Sequence, residues 1–136
     1  MPTALVNAIV IGLGGALGAL ARFAFTGPIL GKLGHRFPWG VLLVNLVGCF
    51  FIGLVMYMYL YRGETDDRLR FFLVAGFLGS LTTFSTFGFD TFELVRDGYP
   101  GLAISNVLAN VFFGIGLAAL GWQVGRWVLG EVPTIV

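Results

Sequence analysis

Ten residues, Gly79-Ser80-Leu81-Thr82-Thr83-Phe84-Ser85-Thr86-Phe87-Gly88, place five hydroxyls and two phenyl rings between two glycines, without a charge among them. Gly and β-branched Thr are weak helix formers, and Ser and Thr side chains compete for backbone groups. The stretch therefore predicts a functional break in an otherwise apolar helix. Discontinuous helices expose carbonyls that coordinate cations and amides that attract anions. The plain alternative is a kinked helix whose hydroxyls bond internally.

Other residues could serve the same chemistry. Asn45 is the one amide in a charge-free run, residues 37–61. It reads either as a donor to a passing anion or as interhelical glue, a bond worth about 1 kcal/mol. Phe84 and Phe87 are three residues apart, on one face if that stretch is helical, and aromatic edges carry partial positive charge that can contact an anion. With 14 Phe in the chain, ordinary packing is the competing reading. Asn106, Asn110, Gly114 and Ala118 form a polar-then-small stripe at four-residue spacing. Arg22 reads as a snorkelling anchor near a helix end, and Asp90, three beyond Phe87, as an acid at a pore mouth. His35 and Cys49 have no partners at metal-ligand spacing, and Gly12, Gly14, Gly15 and Gly18 miss the dinucleotide pattern because Leu17 stands at its third glycine. No nucleophile–base pair is evident, so catalysis is not expected.

The elements that must hold these residues follow from the charges. Residues 1–21, 37–61, 71–89 and 98–125 carry no Asp, Glu, Lys or Arg. A bilayer crossing needs about 20 apolar helical residues, so four crossings use nearly the whole chain of 136. The expected fold is an all-α membrane protein, one domain over 1–136, with transmembrane helices near 4–25, 39–61, 69–96 and 102–129 and the third broken mid-membrane. Such a chain leaves no room for a soluble enzyme, a disulfide scaffold or a basic nucleic-acid surface. Its first apolar run precedes its first basic residue, Arg22, the reverse of a secretory signal, so a retained helix is expected. Gly is 21 of 136, which fits close helix packing in lipid. Arg62, Arg68, Arg70 and Arg126 fall on one side of this topology, and Arg22, Lys32, Arg36 and Arg96 on the other. Such balance removes the usual charge bias, so either the chain inserts both ways round or other signals fix its orientation.

Three strings resemble the Fluc/CrcB family of fluoride ion channels over the whole chain. They are Gly14-Gly15-Ala16-x-Gly18-x-x-x-Arg22, Trp39-Gly40 through Asn45 to Gly48, and Gly76-Phe77-Leu-Gly79-Ser80-Leu-Thr82-Thr83-Phe84-Ser85-Thr86-Phe87. The resemblance implies an antiparallel, dual-topology homodimer in the cell (inner) membrane, with two fluoride pores. It implies a structural sodium held by the carbonyls of Gly79 and Thr82 from each copy. The pore phenylalanines map to Phe84 and Phe87, the pore asparagine to Asn45, and the vestibule residues to Arg22 and Asp90. Many members carry Ser or Thr where this chain has Gly114 and Ala118.

The implied activity is passive fluoride export that lowers toxicity. Fluoride is small and strongly hydrated, so its path must supply donors in place of water. Asn45, the hydroxyls of Thr83, Ser85 and Thr86, and the phenyl edges are such donors, and a central cation offsets anion desolvation. Two alternatives compete. A small proton-coupled multidrug transporter would need an acid in the first helix, where there is none. A non-conducting assembly subunit would use the hydroxyls only for packing.

Overall fold

The computed structural model describes residues 2–29, 36–62 and 67–131, and all their regular structure is helical. Lys32, His35 and residues 63–66 of the polar turn lie outside the described residues. Helix α1 (Thr3–Ala24) passes into a π turn, Phe25–Ile29, rather than stopping at Gly27-Pro28. Pro28 has no N–H to lend to the ladder, and within this turn the Thr26 hydroxyl donates to the Arg22 carbonyl at 2.8 Å. Helix α2 is Trp39–Arg62, entered behind Pro38.

The third span is two helices. The first, α3, covers 68–81 and is π-wound over Phe71–Leu78; the second, α4, is Phe84–Arg96. Helix α5 (Pro100–Leu129) starts two residues before the sequence expectation, because Pro100 stands in its first turn, where proline's fixed φ suits a helix. It contains a π turn at Ala109–Phe113 and ends at Gly130, whose φ of 86° is one that glycine adopts freely. Thr3–Gly27, Trp39–Tyr61, Arg68–Arg96 and Pro100–Leu129 are each long and apolar enough to cross a membrane.

Two glycine-mediated crossings hold the bundle. Helix α1 packs along α3, where a Cβ on Gly14 would strike the Phe72 carbonyl oxygen and one on Gly18 that of Phe77. Helix α2 packs along the second half of α5, where a Cβ on Gly121 would strike the Phe50 carbonyl. In lipid, where apolar association gains nothing from excluding water, such close backbone approach supplies the dispersion contacts that hold helices together. Gly114 belongs to this seam, buried with its α-carbon toward the Cys49 sulfur, and the Ala118 carbonyl lies against Gly53. The small half of the α5 stripe is therefore a packing surface on α2. The core is thin: Val44, Leu78 and Leu81 form its cluster, with Ala21 and Phe77 packed on it, directly beside the end of α3. Large apolar side chains such as Leu13, Leu20, Phe23, Phe112 and Trp127 face outward, as lipid contact requires.

Candidate functional site

The backbone leaves the helical path at Thr82 (φ −80°, ψ 156°) and Thr83 (φ −150°, ψ 115°), both extended, before Phe84 resumes it. Local chemistry closes both ends. On the α3 side, the Thr82 amide and hydroxyl both donate to the Leu78 carbonyl, at 3.0 and 2.9 Å. On the α4 side, Thr83 is the N-cap: its hydroxyl oxygen accepts the Thr86 amide at 3.3 Å and donates to the Thr86 hydroxyl at 3.0 Å.

The Thr83 amide would reach the Gly79 carbonyl in an unbroken helix. It donates instead to Asn45 Oδ1 on α2, at 2.9 Å. The Thr86 amide, which would serve the Thr82 carbonyl, is likewise taken by Thr83. The carbonyls of Gly79 and Thr82 thus lose the helical donors that four-residue spacing would give them. Arg22 on α1 reaches the Thr82 carbonyl with Nη1 at 3.5 Å, the outer limit of a hydrogen bond. The remaining hydrogens of Asn45 are spoken for: Nδ2 donates to Asn110 Oδ1 at 3.0 Å and, more weakly, to the Thr83 carbonyl at 3.4 Å.

Two cavities meet at this break. One, of about 560 Å³, is bordered by Arg22, Thr26, Trp39, Thr83, Thr86 and Asp90. The other, of about 350 Å³, is bordered by Gly79 and Thr82, by Asn45 and Asn110, and by Phe84 and Phe87; Thr83 borders both. Thr83 is buried, and it stands as the wall between them. The Phe84 and Phe87 rings lie 5.6 Å apart, tilted by 51°. Phe84 is 83% exposed on the single chain, and Gly79, Ser85 and Thr86 are exposed with it.

The structure thus gathers Asn45, Thr82, Thr83, Phe84 and Phe87 at one cavity and places Arg22, Thr86 and Asp90 at the other. Ser85 borders neither of these two; its hydroxyl lies 3.4 Å from that of Thr83. Glu93 and Asp97 are held by Arg96, at 3.0 and 2.8 Å. Sequence reading gave no role to Thr91, whose hydroxyl accepts from the fully buried Asn106 at 2.9 Å. The available signal was its place four residues after Phe87, one turn on along α4.

Four apolar spans, one of them interrupted beside uncharged donors and two adjoining cavities, define a multi-pass helical membrane protein with a polar site at the interruption. The chain belongs to the CrcB family, described as "CrcB-like protein, Camphor Resistance (CrcB)", which it matches over residues 9–122. It is 41% identical over 118 residues to a Magnetococcus marinus protein named fluoride-specific ion channel FluC, covering 87% of this chain and 96% of that one. Proteins of the same name from Citrifermentans bemidjiense and Thermus thermophilus are 44% and 38% identical, over 87% and 90% of this chain and 95% and 97% of their own lengths. Membership and the four apolar helices make it a multi-pass protein of the plasma membrane.

Proposed function

We propose that this protein is a fluoride-selective channel that lets fluoride leave the cytoplasm down its gradient. The observation that carries the reading is the interruption at Thr82–Thr83. It sets uncharged donors along two adjoining cavities, in a chain whose relatives bear the fluoride channel name. The Thr86 hydroxyl, which accepts the Thr83 proton and keeps its own, and the Phe84 and Phe87 edges would replace the water of a small anion, with Thr83 joining when its hydroxyl turns from Thr86. Asn45 joins them by giving up its longer bond to the Thr83 carbonyl, at 3.4 Å the weaker of its two donations. Arg22 and Asp90, in the larger cavity, form the vestibule, Arg22 drawing anions in. Ser85 contributes through the Thr83 hydroxyl.

The working unit in this proposal is an antiparallel homodimer. A single chain exposes Gly79, Phe84, Ser85 and Thr86 together, and uncovered hydroxyls facing hydrocarbon are costly. A second copy would cover them, and the even split of Lys and Arg permits the inverted orientation. The Gly79 and Thr82 carbonyls, with their helical donors diverted, are the hard, neutral oxygens that a sodium ion takes. Two from each copy would hold the ion at the dimer axis. Its positive charge would offset the cost of bringing an anion into a low dielectric.

The test is fluoride efflux from proteoliposomes of purified protein, followed with a fluoride electrode. Release of fluoride without matching release of chloride is expected. No release, or equal chloride release, overturns the proposal. A C-terminal tag should be accessible from both faces of the membrane; access from one face alone overturns the inverted dimer. Omission of sodium during purification should lower dimer stability.

A further inference from the structure

We propose that Asn110 and Asn106 are positioning residues, which with Thr91 form a one-way hydrogen-bond relay that orients Asn45 and so sets the geometry of the break. The relay runs from α4 back to α4 through two other helices. Thr83 N–H donates to Asn45 Oδ1 at 2.9 Å, and Asn45 Nδ2 to Asn110 Oδ1 at 3.0 Å. Asn110 Nδ2 donates to Asn106 Oδ1 at 3.0 Å, and Asn106 Nδ2 to Thr91 Oγ1 at 2.9 Å.

Its direction is forced at both ends. A main-chain N–H can only donate, so Asn45 must turn its oxygen to Thr83. The Thr91 hydroxyl proton is spent on the Phe87 carbonyl at 2.7 Å, so Thr91 must accept from Asn106. Three carboxamides, each able in isolation to flip, therefore have one arrangement that satisfies every bond. No buried side-chain nitrogen or oxygen among the described residues lacks a partner. Reversing any one amide would set donor against donor on one side of it and acceptor against acceptor on the other, a cost that a low-dielectric interior magnifies.

A second observation agrees. The π turn Ala109–Phe113 occurs on α5 at Asn110, and Asn110 Nδ2 also donates to the Asn106 main-chain carbonyl at 3.0 Å. A helix widened at one turn is where a side chain can enter the main-chain ladder, and such turns recur at functional sites. Asn106 is 0% exposed and touches neither cavity at the break, so its effect on the site passes through Asn110.

The transport arm of the test rests on the channel reading; a second arm does not. Full-length protein in liposomes is assayed for fluoride efflux, and amide hydrogen exchange is followed at Thr83. Asn110→Leu should slow efflux at least tenfold and speed Thr83 exchange about tenfold, the weight of one hydrogen bond. Asn110→Gln, which restores a carboxamide in a cavity with room for one methylene, should recover most of both. Thr91→Val removes the terminal acceptor at a residue that borders neither cavity at the break and should also speed Thr83 exchange, and it decides the matter if Asn110→Leu does not fold. Thr83 exchange unchanged in both variants, whatever happens to efflux, overturns the relay. Wild-type protein that passes no fluoride overturns the channel reading instead, and Thr83 exchange then judges the relay by itself.

Discussion

Asn45 Oδ1 accepts the main-chain N–H of Thr83 at 2.9 Å, across 38 residues of sequence. This bond makes the interruption a fixed element of the bundle: the amide that the helix forfeits is supplied by a neighbouring helix. Asn45→Leu keeps the branched shape and removes the acceptor, leaving a buried N–H unpaired at a cost of about 1–3 kcal/mol. Reversible detergent denaturation should show a loss of that size. Asn45→Asp retains the acceptor but not the Nδ2 donor, so it should keep the Thr83 bond while reducing fluoride efflux.

Gly18 and Gly12 lie on the same helix in opposite surroundings. A Cβ on Gly18 meets the Phe77 carbonyl, whereas one on Gly12 meets nothing within 4 Å. Backbone cannot yield as a side-chain tip does, so Gly18→Ala must push α1 away from α3. It should destabilise the protein by about 1–3 kcal/mol. Gly12→Ala should be neutral or stabilising by up to about 1 kcal/mol, the helix-propensity difference. Equal effects of the two in a denaturation series would refute the packing account.

Asp67 supplies the pH-dependent case. Tyr59 donates its hydroxyl to the Asp67 carboxylate at 2.6 Å, and Arg70 adds Nε at 3.2 Å. The Tyr59 bond, then the hydrogen bond and charge of Arg70, hold this carboxyl below its ordinary value of 3.8. A lowered value favours the folded state above the ordinary carboxylate range, and the benefit is lost as pH falls through the lowered value. Carboxyl NMR titration should place Asp67 below 3.8, and Tyr59→Phe should move it back up. The stability deficit of Tyr59→Phe should be present at neutral pH and shrink once the carboxyl protonates.

Much of this was legible in the sequence because it is written in charge-free run lengths and in one dense hydroxyl string. The four spans follow from the first. The second marks the neighbourhood of the break, though not its residue: Ser80 to Thr86 all read alike, and only the reach of Asn45 from another helix selects Thr83. The same applies to Asn110. Its spacing from Asn106 was visible, but its partner on α2 is set by tertiary packing. Gly114 and Ala118 read only as the small half of a stripe, and the structure turns that half onto α2, where smallness is the requirement. Ser85 shows the limit of composition: a hydroxyl within the string that borders neither cavity at the break.

Phe84 separates transport from folding most cleanly. Its ring is 83% exposed on the single chain and meets the Phe87 ring at 5.6 Å, so little of the chain's own stability rests on it. Phe84→Ile should change the stability of the chain by no more than about 0.5 kcal/mol, the usual range for an exposed position. It removes the aromatic edge, however, and an aliphatic side chain offers an anion no comparable partial charge. Fluoride efflux from proteoliposomes should therefore fall at least tenfold, an activation cost of about 1.4 kcal/mol, with the protein's elution volume unchanged. Phe87→Ile, half-buried against the same cavity, should lower both efflux and stability. Efflux that survives Phe84→Ile intact would show that the two rings are packing and that the anion path lies elsewhere.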